Sequence, residues 1–280
     1  GPLEQTFLDV GAAFPIKRPD PQLAYHVDGK TYTMPPRGGL RWLLHHVAAD
    51  ERDAEKVMSM MKRAMMWEEP SMSISFRDWL AQYTSDPNIH GAMQGVIAAM
   101  LVINAWEAPA GAFIQFLKTG GYRDFGICEG GNINMIESLA DVVRKNGGTI
   151  WNNASAKRIL VNKWTATGLV VDRPDGQVEV GAKVVISNAG PKNTIGLAGR
   201  ENFERGYLME VDQKIRPGPV VALFVASDRP LIQHPGAFIP VNTRRVCLMF
   251  QTTLTRPELA PKGMHYLEAF SAFADSLGPV

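Results

Sequence analysis

The feature that most constrains this chain is the ordered pattern of glycines and apolar residues from Gly130 to Pro191. It contains a Gly-Gly pair, an amphipathic helix predicted over 132–145, a second Gly-Gly pair, strand-like runs, a hairpin turn and an apolar run over 183–187. This order predicts a helix that crosses back over a parallel sheet, with the apolar run as a strand buried on both faces. Small residues after that run would let a ligand approach the backbone. A tight strand–turn–helix connection that binds nothing is the alternative.

The rest of the chain divides into a helical first half and a strand-rich second half. Asp28-Gly29 predicts an early hairpin, Asp50 an N-cap and Ser75 a helix start. Helices, then a βαβ-like unit, then a run of strands indicate an α/β plus α+β fold with two interleaved domains.

Composition excludes several classes of partner. The net charge is +1 over 280 residues, which gives no basic surface for nucleic acid and points to a small or neutral ligand. Cys128 and Cys247 are far apart, which fits a reducing, cytoplasmic compartment. The longest apolar stretch, 92–105, is too short and too interrupted to span a bilayer.

Several motifs are missing from the sequence. No G-x-G-x-x-G run follows a strand, and the six histidines show no metal-ligand spacing, so no metal site is predicted. The chain starts inside a plausible helix and stops after a strand-like run, as expected for a piece of a longer protein.

The motifs that are present resemble one family. The two glycine pairs, the Asp175-Gly176 turn, the exit Ser187-Asn188-Ala189-Gly190-Pro191 and the run Ala260-Pro261-Lys262-Gly263 occur in the same order as in the phytoene dehydrogenase-like, amine-oxidase-type flavoproteins. The resemblance covers most of the chain. It implies a partial FAD-binding sheet interleaved with a mixed-sheet and helical substrate domain. The expected parts are a helical and hairpin part of the substrate domain (1–125), a partial FAD-binding domain (126–200) and a strand-rich part of the substrate domain (201–280). The resemblance also implies an FAD-dependent oxidoreductase whose N-terminal glycine fingerprint and C-terminal FAD-binding stretch lie outside this sequence. FAD binding by this piece alone is therefore expected to be weak or absent, and the piece alone inactive.

The resemblance also assigns cofactor residues. Ala156 would contact the FAD adenine through its backbone, although the family usually has Val there. The chain would pass the dinucleotide at Ser187, Asn188, Ala189 and Gly190. The family's Pro-x-Gly-Gly is replaced here by Cys-Glu-Gly-Gly, which puts a flavin contact by that loop in doubt.

A methionine-rich helix is the candidate substrate wall. Met58, Met61 and Met65 recur at helical spacing, and Phe113 and Phe116 lie on a later apolar helix. Flexible, polarizable side chains suit a long apolar ligand. Ordinary core packing is the alternative, as is docking on a partner chain, a second copy or a membrane surface.

No catalytic acid or base is assigned. In the related enzymes the flavin takes a hydride from a C–H bond, and the protein supplies orientation and water exclusion. The pair Arg123-Asp124 is a candidate near the flavin, against the reading of a solvated loop pair. The expected function is a flavin-dependent desaturase, dehydrogenase or isomerase of an apolar, isoprenoid-type substrate. The alternative is a flavin-free module that binds apolar ligands or a partner protein.

Overall fold

The structure is a computed structural model that describes residues 2–36, 38–119, 125–216, 218–243 and 245–272. The described α-helices are α1 (Pro2–Val10), α2 (Leu40–Val47), α3 (Glu51–Met66), α4 (Phe76–Leu80), α5 (Pro87–Leu101), α6 (Ala110–Thr119), α7 (Ile133–Lys145), α8 (Pro191–Ala198) and α9 (Arg205–Lys214). The described strands are β1 (Ile16–Lys17), β2 (Leu23–Val27), β3 (Lys30–Thr33), β4 (Ile127–Cys128), β5 (Ser155–Asn162), β6 (Thr165–Arg173), β7 (Gly176–Gly181), β8 (Val220–Ser227), β9 (Ala237–Pro240), β10 (Leu248–Phe250) and β11 (His265–Ala272).

The chain divides into two compact units. The first contains residues 1–142 and 218–280, and the second contains residues 143–217. The predicted division into three parts is not tested by this and stays a prediction.

A six-stranded mixed sheet forms the centre of the first unit. Its strand order is β3-β2-β9-β10-β11-β8, in which β2 pairs with β9 in parallel and the other neighbours are antiparallel. A separate two-stranded sheet pairs β1 with β4. The core contains side chains from α2 to α6 together with residues of β2, β9, β10 and β11.

Two glycines allow α5 to pack closely on this sheet. A Cβ at Gly95 would lie 3.0 Å from Cγ2 of Ile239, and a Cβ at Gly91 would overlap the side chain of Asn242. The helix therefore approaches β9 closely, and Ile89, Met93 and Ile97 are among its fully buried side chains.

Short-range signals set several helix starts. The side chain of Asp50 accepts a hydrogen bond from Arg52 N at 2.8 Å, and Ser75 Oγ accepts one from Asp78 N at 3.1 Å. Asp86 accepts from Asn88 N, and Pro87 occupies the first turn of α5. The early hairpin is also confirmed, since β2 and β3 pair across Asp28 and Gly29, whose φ angles are +48° and +76°.

The second unit contains the antiparallel meander β5-β6-β7 with helices α8 and α9. The apolar sides of Ile159, Val170 and Val171 are buried there, together with Ile195 of α8 and Val211 of α9. The predicted α/β plus α+β class is confirmed by this combination of helices, one mixed sheet and separate antiparallel sheets.

The prediction for 183–187 is wrong in this structure. The residues form no strand, and Val184 and Ile186 are 74% and 91% exposed. The short strand expected at Thr149-Ile150-Trp151 is also absent, and its side chains are exposed. A buried strand needs neighbouring strands to bond its main chain, and no described strand of this unit pairs in parallel. Consistent with this, α7 does not cross a sheet and has no fully buried residue.

Candidate functional site

A cavity of about 1190 Å³ lies in the first unit. Its walls are residues 18–23 at the entry to β2, residues 34–36 and 38–42 around the start of α2, residues 45–46 of α2, and Met58 and Met65 of α3. Apolar side chains predominate, with polar groups at intervals. All of these residues belong to one unit, so the cavity does not depend on the second unit.

The predicted substrate residues separate into two groups. Met58 and Met65 line the cavity, whereas Met61 and Phe113 are completely buried in the core of the unit. Phe116 is half-buried and packs against that core, 6.4 Å from the ring of Phe113. The substrate assignment itself stays a prediction for all five.

An oriented imidazole is part of the cavity wall. His46 Nδ1 lies 2.7 Å from the carbonyl oxygen of Trp42. The indole of Trp42 stacks on the same ring at 4.1 Å, and Tyr32 contacts it edge-on at 5.5 Å. Because a carbonyl can only accept, Nδ1 carries a proton, and in the neutral form of the ring Nε2 presents a lone pair.

The two arginines in the described part of the wall are paired. Arg41 donates a hydrogen bond to Glu55 at 2.6 Å and holds the pKa of that carboxyl below its usual value. His45 Nε2 lies 2.9 Å from the same carboxylate, at an angle that does not make a hydrogen bond. Arg18 pairs with Glu4 at 3.1 Å. The cavity therefore has cationic side chains whose charge is already balanced by carboxylates.

A buried amide oxygen lies beside these groups. Gln22 lines the cavity, and its buried Oε1 has no hydrogen-bond partner among the residues that the structure describes. An unsatisfied buried acceptor costs about 1–3 kcal/mol, which a donor supplied from elsewhere would offset.

In the second unit, the predicted cofactor residues Ser187, Asn188, Ala189 and Gly190 form an exposed loop that leads into α8. The loop is fixed by short hydrogen bonds. Ser187 Oγ lies 2.7 Å from Thr194 Oγ1, which also donates to the carbonyl oxygen of Gly190 at 2.8 Å.

Ala156 lies on β5 of the same unit, next to a register shift in the β5–β6 ladder. Its side chain is exposed, and α8 packs against β5. The structure therefore brings Ala156 and the 187–190 loop into one small unit, which their separation of about thirty positions in the printed sequence does not by itself require.

These residues fit one wall of a dinucleotide site and do not enclose it. Small exposed side chains and accessible main chain from Ser187 to Gly190 would allow the close approach of an FAD. The glycine turn that holds the pyrophosphate in such sites is missing from the sequence. The pair Arg123-Asp124 lies outside the described residues.

Sequence reasoning missed Trp42 and His46. Histidines were interpreted as ordinary surface or core residues, because no metal spacing was present. The available signal was their i, i+4 spacing on one helix, which places an aromatic ring next to an imidazole. Within the described ranges, no helix has the length and apolarity to cross a bilayer, and no cluster of three His, Cys, Asp or Glu side chains suits a metal.

The fold is similar to those of several solved structures. The match with an oxidoreductase from Methanosarcina mazei covers 98% of this chain and 65% of that protein's chain, with 23% sequence identity and a TM-score of 0.85. The match with a protein from Pyrococcus furiosus covers 97% of this chain and 64% of that protein's chain, with 19% sequence identity and a TM-score of 0.78. The match with cyclohexylamine oxidase from Brevibacterium oxydans covers 96% of this chain and 61% of that protein's chain, with 12% sequence identity and a TM-score of 0.61.

This chain thus spans a little less than two thirds of the length of those proteins. At such identities the likeness shows the fold. No model of a known protein family matches the sequence, and no curated protein does.

Proposed function

We propose that this chain supplies the substrate side, and one wall of the dinucleotide site, of a flavin-dependent oxidoreductase that acts on an apolar substrate. The observation that carries the proposal is the fold likeness to an oxidoreductase over 98% of this chain, at a TM-score of 0.85. The ordered motifs from Gly130 to Pro191 support the same class. When bound, the flavin would accept a hydride from a C–H bond of the substrate.

The roles of this chain's own residues follow from their positions. The loop from Ser187 to Gly190 would line the dinucleotide, with small side chains that permit close contact. The cavity beside α2 and α3 would hold the apolar substrate and exclude water from it. An isoprenoid substrate, and desaturation, dehydrogenation or isomerisation as the reaction, are the finer parts of the proposal.

The experiment compares two proteins. One is the 280-residue chain, and the other is the longest protein encoded by the reading frame that contains it. We expect the longer protein to show flavin absorbance near about 450 nm and the 280-residue chain to be colourless. If the longer protein is colourless and releases no flavin on denaturation, the proposal is contradicted.

A variant of the longer protein tests the assigned wall. Ala189→Trp places a large ring on the exposed loop and should reduce flavin retention, because it blocks close approach. Asp175→Trp, on the exposed turn between β6 and β7, is the matched control and should retain flavin. Equal retention by both variants would remove the 187–190 loop from the site.

A second candidate function is supported by the position of the cavity. Because the cavity is built from the first unit only, apolar ligands can bind there without any dinucleotide. A longer protein that lacks flavin and still takes up apolar dyes would favour this flavin-free binding module.

A further inference from the structure

We propose that the cavity takes a long-chain alcohol, an apolar chain with a hydroxyl head, and that His46 Nε2 accepts the hydrogen bond of the hydroxyl. This proposal names a substrate class for the cavity of the proposed function. That the bound alcohol takes part in a redox reaction rests on the proposed function. Its test measures binding alone and needs no flavin.

The size and lining of the cavity set the apolar part of the ligand. Its volume of about 1190 Å³ exceeds the range of about 300–1,000 Å³ that is usual for drug-sized ligands. Met34, Leu40, Met58 and Met65 supply flexible or branched apolar walls. Such a space suits an extended chain better than a compact polar metabolite.

The tautomer of His46 sets the head group. Its Nδ1 proton is used by the carbonyl oxygen of Trp42, and stacking on Trp42 fixes the ring. Within the described part of the chain, Nε2 makes no hydrogen bond. His46 is exposed to solvent at the edge of the cavity, where its ring is fixed by Trp42. A fixed neutral acceptor is matched by one neutral donor, which is what a hydroxyl offers.

The charges around the cavity disfavour an ionic head. A carboxylate would need an available cation, and of the described residues in the wall the two arginines, Arg18 and Arg41, each already contact a glutamate, at 3.1 and 2.6 Å. An ammonium would be drawn to Asp20, which is exposed to solvent, where attraction is screened. An alcohol requires neither arrangement.

The experiment is calorimetric titration of the 280-residue chain with four ten-carbon probes: 1-decanol, decyl methyl ether, decanoate and decylamine. The ether keeps the chain and the oxygen but cannot donate. We expect decanol to bind about three- to tenfold more tightly than the ether, the range that one neutral hydrogen bond supplies. Equal affinities, or tighter binding of decanoate or decylamine, would overturn the proposal.

Two variants assign the preference to His46. His46→Phe keeps a ring against Trp42 and Tyr32 but removes the acceptor, so decanol and the ether should bind equally, with the ether affinity unchanged. His26→Phe makes the same change at a position of β2 outside the cavity and should leave the preference intact. A preference that survives in His46→Phe would contradict the assignment.

A measurement on the unmodified protein covers the case in which His46→Phe does not fold. The ¹⁵N resonance of one histidine Nε2 should shift on addition of decanol and stay in place with the ether. If no histidine signal distinguishes the two probes, the proposal fails. Failure here leaves the flavin experiment unaffected, so the two proposals are tested separately.

Discussion

Arg256 Nη2 donates a hydrogen bond to the carbonyl oxygen of Pro15, 3.3 Å away and 241 positions earlier in the sequence. Its Nε reaches the carbonyl oxygen of Ile127 at 3.5 Å, and Nη1 lies 3.7 Å from the carboxylate of Glu129. Lys17 adds a second link by donating to the carbonyl oxygen of Thr255 at 3.2 Å. The side chain of Arg256 and the carbonyl oxygen of Thr255, both in one late turn, thus hold the short β1–β4 sheet in place.

Removal of this arginine should destabilise the chain. Arg256→Met removes the guanidinium donor from the carbonyl oxygens of Pro15 and Ile127, in a place where the arginine side chain is only 16% exposed. Pro15 still accepts a hydrogen bond from Glu129 N at 3.0 Å, but the charged hydrogen bonds of Arg256 are lost. We expect the free energy of unfolding to fall by about 1–3 kcal/mol, read as a lower urea midpoint. Arg52→Met, on the exposed side of α3, is the control and should change stability by less than about 0.5 kcal/mol. Equal midpoints for the two variants would contradict the role of Arg256.

Gly236 should tolerate no side chain. A Cβ there would overlap the backbone carbonyl of Gln22, at the start of the parallel β2–β9 pair, and backbone cannot rotate away as a side chain can. Gly236→Ala should therefore cost about 1–3 kcal/mol in urea unfolding, as overpacking does. Gly206→Ala in α9 has open space around its Cβ and should be neutral or stabilising by up to about 1 kcal/mol. A harmless Gly236→Ala would show that the two strands lie further apart.

His234 should make stability depend on acid pH. The residue is 4% exposed, its Nε2 has no hydrogen-bond partner in the described part of the chain, and burial lowers its pKa to about 4 from 6.5. As the pH falls from about 6.5 to about 4, His234 binds a proton in the unfolded chain but stays neutral in the folded chain. The free energy of unfolding therefore decreases. The loss should approach about 3 kcal/mol, and His234→Leu should flatten that part of the curve.

Glu268 provides the internal contrast for that pH experiment. Burial raises its pKa, so its contribution is present at low pH and is lost as the pH rises through the raised value. Its effect has the opposite sign to that of His234. Glu268→Gln should therefore improve relative stability at neutral pH, while His234→Leu acts in the acid range. If the urea midpoint of His234→Leu depends on pH between 4 and 7 in the same way as that of the unmodified chain, the assignment to His234 is contradicted.

Ile186 tests whether the exposed run 183–187 is buried in the longer protein. In this chain the residue is 91% exposed, so Ile186→Asp should change stability by less than about 0.5 kcal/mol. In the longer protein, a strand buried on both faces would make the same change cost several kcal/mol and reduce flavin retention. Trp164→Asp, at a 75% exposed turn position, should be mild in both proteins. A mild Ile186→Asp in both would show that the run is never buried.

The structures that sequence predicted well are those decided within a few residues. The caps at Asp50 and Ser75 and the turn at Asp28-Gly29 depend on hydrogen bonds and φ angles that local residues fix. The run 183–187 failed for the opposite reason. Its apolar composition indicates burial, but a buried strand also needs neighbouring strands that pair with it, and no described strand of the second unit pairs with this run.

The long-range pairings were beyond sequence reasoning. Nothing local links β2 to β9, which lie more than two hundred positions apart, and β1 and β4 are only two residues long. The helix α9 was missed because it is mostly polar and buries only Val211. The methionine stripe was interpreted too simply, since Met61 is rotated by about 60° from Met58 around the helix and faces the core instead of the cavity.

Because the described walls of the cavity come from one unit and the proposed cofactor loop lies in the other, the two proposed sites are encoded by separate stretches of the gene. A mutational library restricted to α2, α3 and the entry to β2 can therefore be screened by ligand uptake alone. Selectivity could then be retuned before any turnover assay exists.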